Sequence, residues 1–219
     1  GPTMTLKIGI LNSDFVRPEL AVTFGEYPHM FSELLKSTDP SIELISYDVI
    51  LGNYPDDIDE VDAYLITGSK FSVYDNEDWI RRLGEFVVEL NDRKKKLLAI
   101  CFGHQIISKE LGGKVKKSKV REFGLAKIRK INNSILTKDF FNKNGINNVW
   151  MSHSDEVTKI PKNFKIIASS EHSKLCMIEN KINNFYGIQF HPEVTHTQKG
   201  KIILKNFVFS LCKIKKNWS

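Results

Sequence analysis

Several features that define other protein classes are missing from this 219-residue sequence. No apolar run approaches the ~18 residues that a membrane-spanning helix needs, so no membrane segment is predicted. The amino terminus lacks a basic segment followed by an apolar core, so we predict no secretory signal. Cysteine is scarce, and the odd number of three residues argues against a disulfide framework. Reduced thiols and a cytoplasmic location are therefore expected.

Linkers and cofactor signatures are also absent. No Pro- or Ser-rich linker divides the chain, so we expect a single domain over residues 4–219, with residues 1–3 as the remnant of an expression tag. The sequence contains no GxxxxGK[ST] phosphate loop, no GxGxxG dinucleotide fingerprint and no HExxH zinc motif. We therefore expect no cofactor, no metal and no ATP-driven reaction without a second protein.

The charge balance is positive, with 32 Lys and Arg residues against 26 Asp and Glu residues and a net charge of +6. A basic surface can bind nucleic acid. These lysines are scattered along the chain, however, and neither interleaved aromatic residues nor a recognisable binding module accompanies them. We interpret them as a solvated surface and predict no nucleic-acid partner.

What the sequence does contain is an alternation of strand and helix patterns. In the first half, strands are predicted at the apolar runs 6–11, 63–66 and 97–100, and at 42–47, where apolar and polar residues alternate. Helical spacing predicts intervening helices that start near Pro28, Trp79 and His104. This order is typical of an α/β fold with a central, mostly parallel sheet. After residue 113, short strand-like segments, a hairpin at Asn183-Asn184 and a last helix over 201–211 predict an additional antiparallel portion.

One cysteine ends a predicted strand, because the apolar run LLAI leads directly into Cys101, Phe102 and Gly103. In a parallel sheet, ligands bind beyond the carboxyl ends of the strands. A sharp strand-to-helix turn, or nucleophile elbow, would present the thiol there, and the helix N-terminus would stabilise a thiolate. The alternative is an inert buried thiol, which is common for free cysteine. That alternative is the better interpretation for Cys176 and Cys212, which lie inside apolar segments.

A nucleophilic thiol requires a base. His191 follows the apolar strand pattern FYGIQF, and Glu193 comes two residues later. A carboxylate at this spacing can orient the imidazole and stabilise its protonated form, completing a Cys-His-Glu triad. Two alternatives remain for His191: a capping or packing role, or metal ligation together with Glu193 and His196.

Five segments carry a family resemblance. CFGHQ at 101–105 and FHPEV at 190–194 resemble the two signatures of class I glutamine amidotransferase domains. LITGSKFSVYD at 65–75 resembles the loop that this family places opposite the cysteine. WMSHSDEV at 150–157 resembles the segment beside the substrate glutamine in GMP synthetase amidotransferase domains, and FGEYPHMF at 24–31 is similar to stand-alone members such as γ-glutamyl peptidases. The resemblance implies a three-layer flavodoxin-like domain.

The resemblance also implies chemistry through a γ-glutamyl thioester. Cys101 would attack the γ-carbonyl of a small-molecule γ-glutamyl substrate. His191 would accept the thiol proton and deliver it to the leaving amine, while Glu193 holds His191 in place. The oxyanion hole would consist of the backbone N–H groups of Gly68, Ser69 and Phe102. The glutamyl amino and carboxylate groups would be bound by Gln105, Ser152, His153 and Ser154.

Departures from the family pattern bear on specificity. Amidotransferases of the GMP synthetase type have Gly-Gly-Pro where this chain has Gly68, Ser69 and Lys70, and they have Gly at the place of Ser154. Many members also have Gly in place of Ala99, which is still small enough for the turn. The first two changes lie beside the substrate and weaken the expectation that free glutamine is the substrate.

Three functions are compatible with these residues. The preferred one is a stand-alone hydrolase of γ-glutamyl amide bonds in glutamine, a γ-glutamyl peptide or a γ-glutamyl amine. The second is a glutaminase subunit that supplies ammonia to a separate ATP-dependent synthetase. The third is a non-catalytic binding protein that retains the fold. Aromatic residues in the loops 12–27 and 71–76 permit a leaving group larger than ammonia, or serve packing alone.

Overall fold

Nine strands and four α-helices account for most of the part of the chain that the computed structural model describes, which is residues 5–14, 27–38 and 40–213. The strands β1 to β9 are Lys7–Asn12, Glu43–Asp48, Ala63–Ile66, Lys96–Ile100, Lys114–Lys130, Ile146–Lys159, Lys165–Ser170, Met177–Asn180 and Phe185–Ile188. The helices α1 to α4 are Tyr27–Thr38, Asp78–Asp92, Phe102–Glu110 and Gly200–Lys205. The last helix continues as π-helical turns over Asn206–Lys213.

All nine of these strands belong to one sheet in the order β2-β1-β3-β4-β9-β8-β7-β5-β6. The strands from β2 to β9 in this order pair in parallel. From β9 onward, each pairing is antiparallel. The predicted α/β fold with an antiparallel portion in the second half is confirmed, and so is the hairpin between β8 and β9.

Helices cover both faces of the parallel half of the sheet. On one face, Phe31 of α1 and Leu204 of α4 pack in one apolar cluster with Ile10 of β1. On the other face, Leu83 of α2 and Ile106 of α3 form a second cluster with residues from the opposite side of the strands. The three layers expected from the resemblance are therefore present. No helix within the described ranges is both long enough and apolar enough to cross a bilayer.

The strands β5 and β6 extend beyond the rest of the sheet as a two-stranded ribbon. β5 has 17 residues, and it pairs with β6 along most of this length. Only residues 128–130 of β5 pair with β7. Val115 and Val157 anchor the ribbon in the apolar cluster that contains α3. Where the sequence predicted only short strands after residue 113, β5 is one long element, and it brings β6 to the helix that follows Cys101.

Some predictions lie outside the described residues. They include most of the loop 12–27, which was expected to help shape the leaving-group pocket, and the first part of FGEYPHMF.

Two helical glycines provide a matched test of packing between helix and sheet. A Cβ at Gly103 would lie 2.9 Å from the Cβ of Ile66 and 3.1 Å from its carbonyl oxygen, in the middle of the sheet. The three atoms nearest to a Cβ at Gly84 all belong to the Glu110 side chain, which is flexible and can turn away. We expect Gly103→Ala to lower the free energy of unfolding by about 1–3 kcal/mol. Gly84→Ala should be neutral or raise it by up to about 1 kcal/mol, because alanine favours the helix.

Urea denaturation of the two variants measures both effects. A similar change in the free energy of unfolding for both would contradict the assignment of Gly103 to a site without room for a methyl group.

Candidate active site

Cys101 occupies the tight turn between β4 and α3. Its backbone has φ 53° and ψ −104°, a positive φ that non-glycine residues adopt only at a cost in strain. The backbone N–H of Cys101 donates to the carbonyl oxygen of Ile188, at 2.8 Å, and so ties the turn to the end of β9. The predicted nucleophile elbow is present, and the side chain is 5% exposed.

His191 and Glu193 lie beside this turn because β9 pairs in parallel with β4. The Nδ1 atom of His191 is 2.6 Å from Oε1 of Glu193. On its other side, the imidazole lies near Cys101, because a Cβ at Gly68 would be 3.8 Å from Nε2 of His191 and 3.5 Å from Cβ of Cys101. The structure thus places the three residues of the predicted triad next to one another, although Cys101 and His191 are far apart in the chain.

The electrostatic balance around His191 favours its charged form. Burial alone would lower the pKa of the imidazole, but the Glu193 carboxylate and the Cys101 sulfur, through charge and hydrogen bonds, raise the pKa well above its ordinary value. These neighbours therefore favour the doubly protonated ring. An imidazolium between a carboxylate and a sulfur favours a thiolate on Cys101.

The backbone around His191 is held in place by three neighbours. Its N–H donates to the carbonyl of Trp150 at 3.0 Å. Its carbonyl oxygen accepts from the Thr197 hydroxyl at 2.6 Å, and that hydroxyl accepts from the N–H of Trp150 at 2.9 Å. On the helix side, a Cβ at Gly200 would lie 2.1 Å from the carbonyl oxygen of Pro192. The turn from His191 to Glu193 is therefore packed directly between β6 and α4.

The loop after β3 closes the opposite side of the site. A Cβ at Gly68 would lie 2.9 Å from Cε1 of His191 and 3.5 Å from Cβ of Cys101, so only glycine fits here. The N–H of Lys70 donates to Asp14 at 2.6 Å and fixes the loop to the end of β1. Among the described residues, the backbone N–H groups of the predicted oxyanion hole have no acceptor; they belong to Gly68, Ser69 and Phe102.

Two of the four residues predicted to bind the substrate have side chains committed to the protein. The amide nitrogen of Gln105 donates to the carbonyl of Asp155 at 2.9 Å, which leaves its oxygen as the atom that a substrate could meet. The side chain of His153 is 1% exposed. Ser152 is exposed and Ser154 half-buried, and the carbonyl oxygen of Ser152 lies 3.4 Å from the Cys101 sulfur.

His153 belongs to a buried polar cluster that the sequence did not suggest. Its Nε2 is 2.9 Å from Oε1 of Glu122, and its Nδ1 is 2.8 Å from the carbonyl of Asp155. The Ser173 hydroxyl donates to the same Glu122 oxygen at 2.8 Å. Burial opposes ionisation, but these hydrogen bonds lower the pKa of Glu122. The cluster joins β5, β6 and the loop between β7 and β8, so His153 holds the ribbon in position over Cys101.

Gln189 was also missed by sequence reasoning. It is 1% exposed, and its amide nitrogen lies 3.5 Å from the Cys101 sulfur. The available signal was its place between the apolar strand β9 and His191, where an uncharged polar residue interrupts the run IQF.

The structure does not favour the alternatives for these residues. No group of three or more His, Cys, Asp or Glu residues that could hold a metal occurs in residues 5–14, 27–38 and 40–213. His196 stacks against Trp150, with ring centroids 4.9 Å apart, instead of joining His191. Burial raises the pKa of the thiol of Cys212 to about 12 and raises the pKa of the Cys176 thiol further, consistent with inert structural residues.

The described aromatic residues near the site serve packing. Phe71 contacts Trp79 edge-to-face at 5.4 Å between centroids, and Trp79 in turn contacts Phe102 at 5.6 Å. Tyr74 is 57% exposed and lies under the ammonium group of Lys109. This part of the loop therefore supports Phe102 and gives no direct indication of a large leaving group.

Comparison with known proteins places this geometry in a family. Residues 25–211 match the model of the class I glutamine amidotransferases. The chain belongs to the class I glutamine amidotransferase family.

The relatives are consistent with this assignment. The chain is 34% identical over 207 residues to the "GMP synthase [glutamine-hydrolyzing]" of Aquifex aeolicus, covering 92% of this chain and 38% of that protein. It is 41% identical over 157 residues to the enzyme of the same name from Brachyspira hyodysenteriae, covering 72% of this chain and 29% of that protein. The chain thus spans about a third of the length of these relatives.

A solved structure from Thermoplasma acidophilum, provisionally assigned as one subunit of a GMP synthase, has a TM-score of 0.78 and 25% identity. The alignment covers 99% of this chain and 98% of that one. A glutamine amidotransferase from Thermotoga maritima, with a TM-score of 0.73 and 17% identity, shares the fold.

The electrostatic argument for His191 can be tested by replacing its carboxylate partner. Because the pKa of His191 is raised in the folded protein, protonation of the ring stabilises the fold below the unfolded-state pKa, and this contribution is lost as pH rises through the folded-state pKa. Glu193→Gln removes the carboxylate charge that counteracts the effect of burial on the pKa of His191. The imidazole should therefore lose its proton at a clearly lower pH. Histidine Cε1–H NMR signals followed over a pH series measure the change.

The control is Glu171→Gln, which removes an exposed carboxylate 3.9 Å from His172. This variant should leave the His191 titration unchanged. An unaltered His191 titration in Glu193→Gln would contradict the dominant role of the Glu193 carboxylate.

Proposed function

We propose that this protein hydrolyses the γ-amide bond of glutamine through a γ-glutamyl thioester on Cys101, and that the ammonia serves a separate ATP-dependent synthetase. The observation that carries the proposal is that Cys101 and His191 lie side by side against Gly68 at the carboxyl edge of the sheet, with the imidazole in turn bonded to the Glu193 carboxylate. This arrangement couples a nucleophile to a base and the base to an orienting carboxylate, as cysteine-dependent acyl transfer requires.

Each step uses a group already in place. The Cys101 sulfur attacks the γ-carbonyl carbon, and the carbonyl oxygen becomes an oxyanion. His191, which holds the proton from the thiol, delivers it to the nitrogen that leaves as ammonia, so the C–N bond breaks as the C–S thioester forms. His191 then accepts a proton from water, whose oxygen attacks the thioester. The C–S bond then breaks and His191 returns the proton to the sulfur, so the products are glutamate and the free thiol.

The oxyanion is the point at which backbone geometry matters most. The N–H groups of Gly68, Ser69 and Phe102 are available to donate to it. Phe102 is the first residue of α3, so its N–H points away from the helix toward the thiol side. Fixed donors of this kind stabilise developing charge without having to reorganise. The hydrogen bond from the N–H of Lys70 to Asp14 holds the loop that contains Gly68 in position for this role.

Recognition of the glutamyl group divides into direct and indirect parts. The free carboxamide oxygen of Gln105 suits the substrate ammonium group, because the nitrogen is engaged by Asp155. The accessible residues Ser152 and Ser154 suit the substrate carboxylate. His153, with its ring nitrogens engaged, acts by holding the segment that bears both serines.

The relatives support the proposal that the ammonia is passed to a separate synthetase. Those named "GMP synthase [glutamine-hydrolyzing]" are about three times as long as the matched segment. The Thermoplasma protein, provisionally one subunit of a GMP synthase, has the same extent as this chain.

A surface that could contact a synthetase lies on the ribbon formed by β5 and β6. Phe123 and Leu125 of β5 are each 64% exposed, and the basic residues Arg121 and Lys127 lie next to them. A synthetase with an apolar, acidic-rimmed contact surface would suit this face.

A second candidate is a stand-alone hydrolase of a γ-glutamyl peptide or amine, the preference reached from the sequence alone. The observation in its favour is that Ser69, Lys70 and Ser154 depart from the glycine and proline pattern of GMP synthetase-type domains, in the loop that follows Gly68 and in the β6 segment that contacts Cys101. We place it second, because the curated relatives hydrolyse glutamine by name and because Phe71 serves packing. The third candidate, a binding protein without catalysis, does not explain why Cys101, His191 and Glu193 lie together.

The first test is glutamate release by the purified protein from glutamine, glutathione and a panel of γ-glutamyl amines. We expect release from glutamine, and a loss of about 10⁴-fold or more in Cys101→Ala, because the nucleophile is removed. Cys212→Ala, which removes a buried thiol far from the site, should retain activity. Release from peptides or amines but not from glutamine would favour the second candidate. If no γ-glutamyl compound gives Cys101-dependent glutamate release, the catalytic proposal is wrong.

The Gly68 position gives a sharper steric test. In Gly68→Ala, the added methyl group would lie 2.9 Å from Cε1 of His191 and force the ring or the loop to move. A displacement of this size at a reacting group costs about 10²-fold in rate, so we expect kcat to fall by about that factor without loss of folding. Gly84→Ala, the same chemical change on α2, should leave kcat unchanged. Normal kcat in Gly68→Ala would contradict the assigned position of His191 during catalysis.

A further inference from the structure

Gln189 is a buried amide in contact with the candidate nucleophile, and the reaction steps above assign it no task. It follows β9 directly, is 1% exposed, and donates its backbone N–H to the carbonyl of Cys176 at 2.8 Å. Its side-chain nitrogen lies 3.5 Å from the sulfur of Cys101. Burying an amide group is costly unless its polar atoms are paired, so the partners of Gln189 indicate what the side chain does.

The orientation of this amide follows from a chain of two glutamines. The carbonyl oxygen of Asp155 can only accept, so the Gln105 atom 2.9 Å away must be the amide nitrogen. The same nitrogen lies 3.3 Å from the side-chain oxygen of Gln189. If the Gln189 amide were turned around, two donors would face each other at this contact. Gln189 must therefore direct its oxygen to Gln105 and its N–H₂ group to the sulfur.

We infer that Gln189 donates an N–H···S hydrogen bond that stabilises the thiolate of Cys101, and that Gln105 is a positioning residue that holds the Gln189 amide in the donating orientation. The inference rests on the proposed role of Cys101 as the nucleophile.

The surroundings of the sulfur explain why such a donor is needed. The carbonyl oxygen of Ser152, 3.4 Å away, can accept a hydrogen bond from the protonated thiol but offers nothing to a thiolate. Deprotonation therefore turns a favourable neighbour into an unfavourable one. His191 supplies one compensating donor, and Gln189 supplies a second that carries no charge and does not titrate. Hydrogen bonds to an ionised acceptor are about twice as strong as neutral ones, so the contact gains strength as the thiolate forms.

The test measures thiolate formation without any γ-glutamyl substrate. The rate of alkylation by iodoacetamide is followed over a pH series, with peptide mass mapping to identify the alkylated cysteine. In Gln189→Leu, the pH of half-maximal Cys101 alkylation should rise by about one unit, a tenfold loss of thiolate at a fixed pH. Gln189→Glu keeps the shape of the side chain but places a carboxylate beside the sulfur, so the rise should be larger.

Gln105→Leu should give a smaller rise, because the donor remains but its orientation is no longer fixed. The matched control is Gln198→Leu, which removes an exposed amide whose oxygen accepts from the N–H of Asn148 and which has no contact with the sulfur. Its alkylation profile should coincide with that of the unaltered protein. A merely structural role of Gln189 would change the maximal alkylation rate or expose Cys176, and would leave the half-maximal pH unchanged.

The outcomes separate this inference from the proposed function. If Cys101 of the unaltered protein is not alkylated at any pH, the nucleophile assignment fails and the inference fails with it. If Cys101 is alkylated normally but both Gln189 variants keep the same half-maximal pH, the role of Gln189 is overturned while the proposed function stands. If Gln189→Leu also exposes Cys176 to alkylation, that variant has lost its packing, and the near-isosteric Gln189→Glu decides the question.

Discussion

The parallel pairing of β4 with β9 is the constraint on which the site depends. It aligns Ile100 with Ile188 and lets the backbone N–H of Cys101 donate to the Ile188 carbonyl at 2.8 Å. Everything that follows β9 is thereby placed beside the thiol: first the amide of Gln189, then the imidazole of His191. A shift of one residue in this pairing would turn Gln189 away from the sulfur, because successive residues of a strand point to opposite faces.

Much of the fold and the reacting residues could be predicted from the sequence, for a local reason. Three parallel strands of the first half, β1, β3 and β4, are buried on both faces and appear as short apolar runs, whereas the edge strand β2 alternates apolar and polar residues. Cys101 and His191 stand out because a polar, reactive residue directly follows such a run. Their positions at strand ends suggested that the two work together, and the family resemblance supported this. Periodicity alone could not place them side by side, since nothing in a single strand shows which other strand lies beside it.

The parts that escaped prediction depend on contacts between distant segments. The amino-terminal half of β5 is exposed on both faces over several residues, so its sequence KVKKSKVREFG has no apolar alternation from which a strand could be inferred. Glu122 could be recognised only once β5 was known to pair with β6, which places it opposite His153. Gln105 and Gln189 likewise form a pair only because α3 follows the turn at Cys101 and packs beside the end of β9.

The contact between Gly200 and Pro192 limits how this sequence can diverge. A Cβ at Gly200 would lie only 2.1 Å from the carbonyl oxygen of Pro192, so no side chain fits at this position. Thr195, His196 and Gln198, between the two, are exposed, although the His196 ring contacts Trp150. Homologous chains should therefore keep glycine at the end of this loop and a hydroxyl at the position of Thr197, and vary most at Thr195. An insertion would be tolerated only if the first turn of α4 still packed against Pro192.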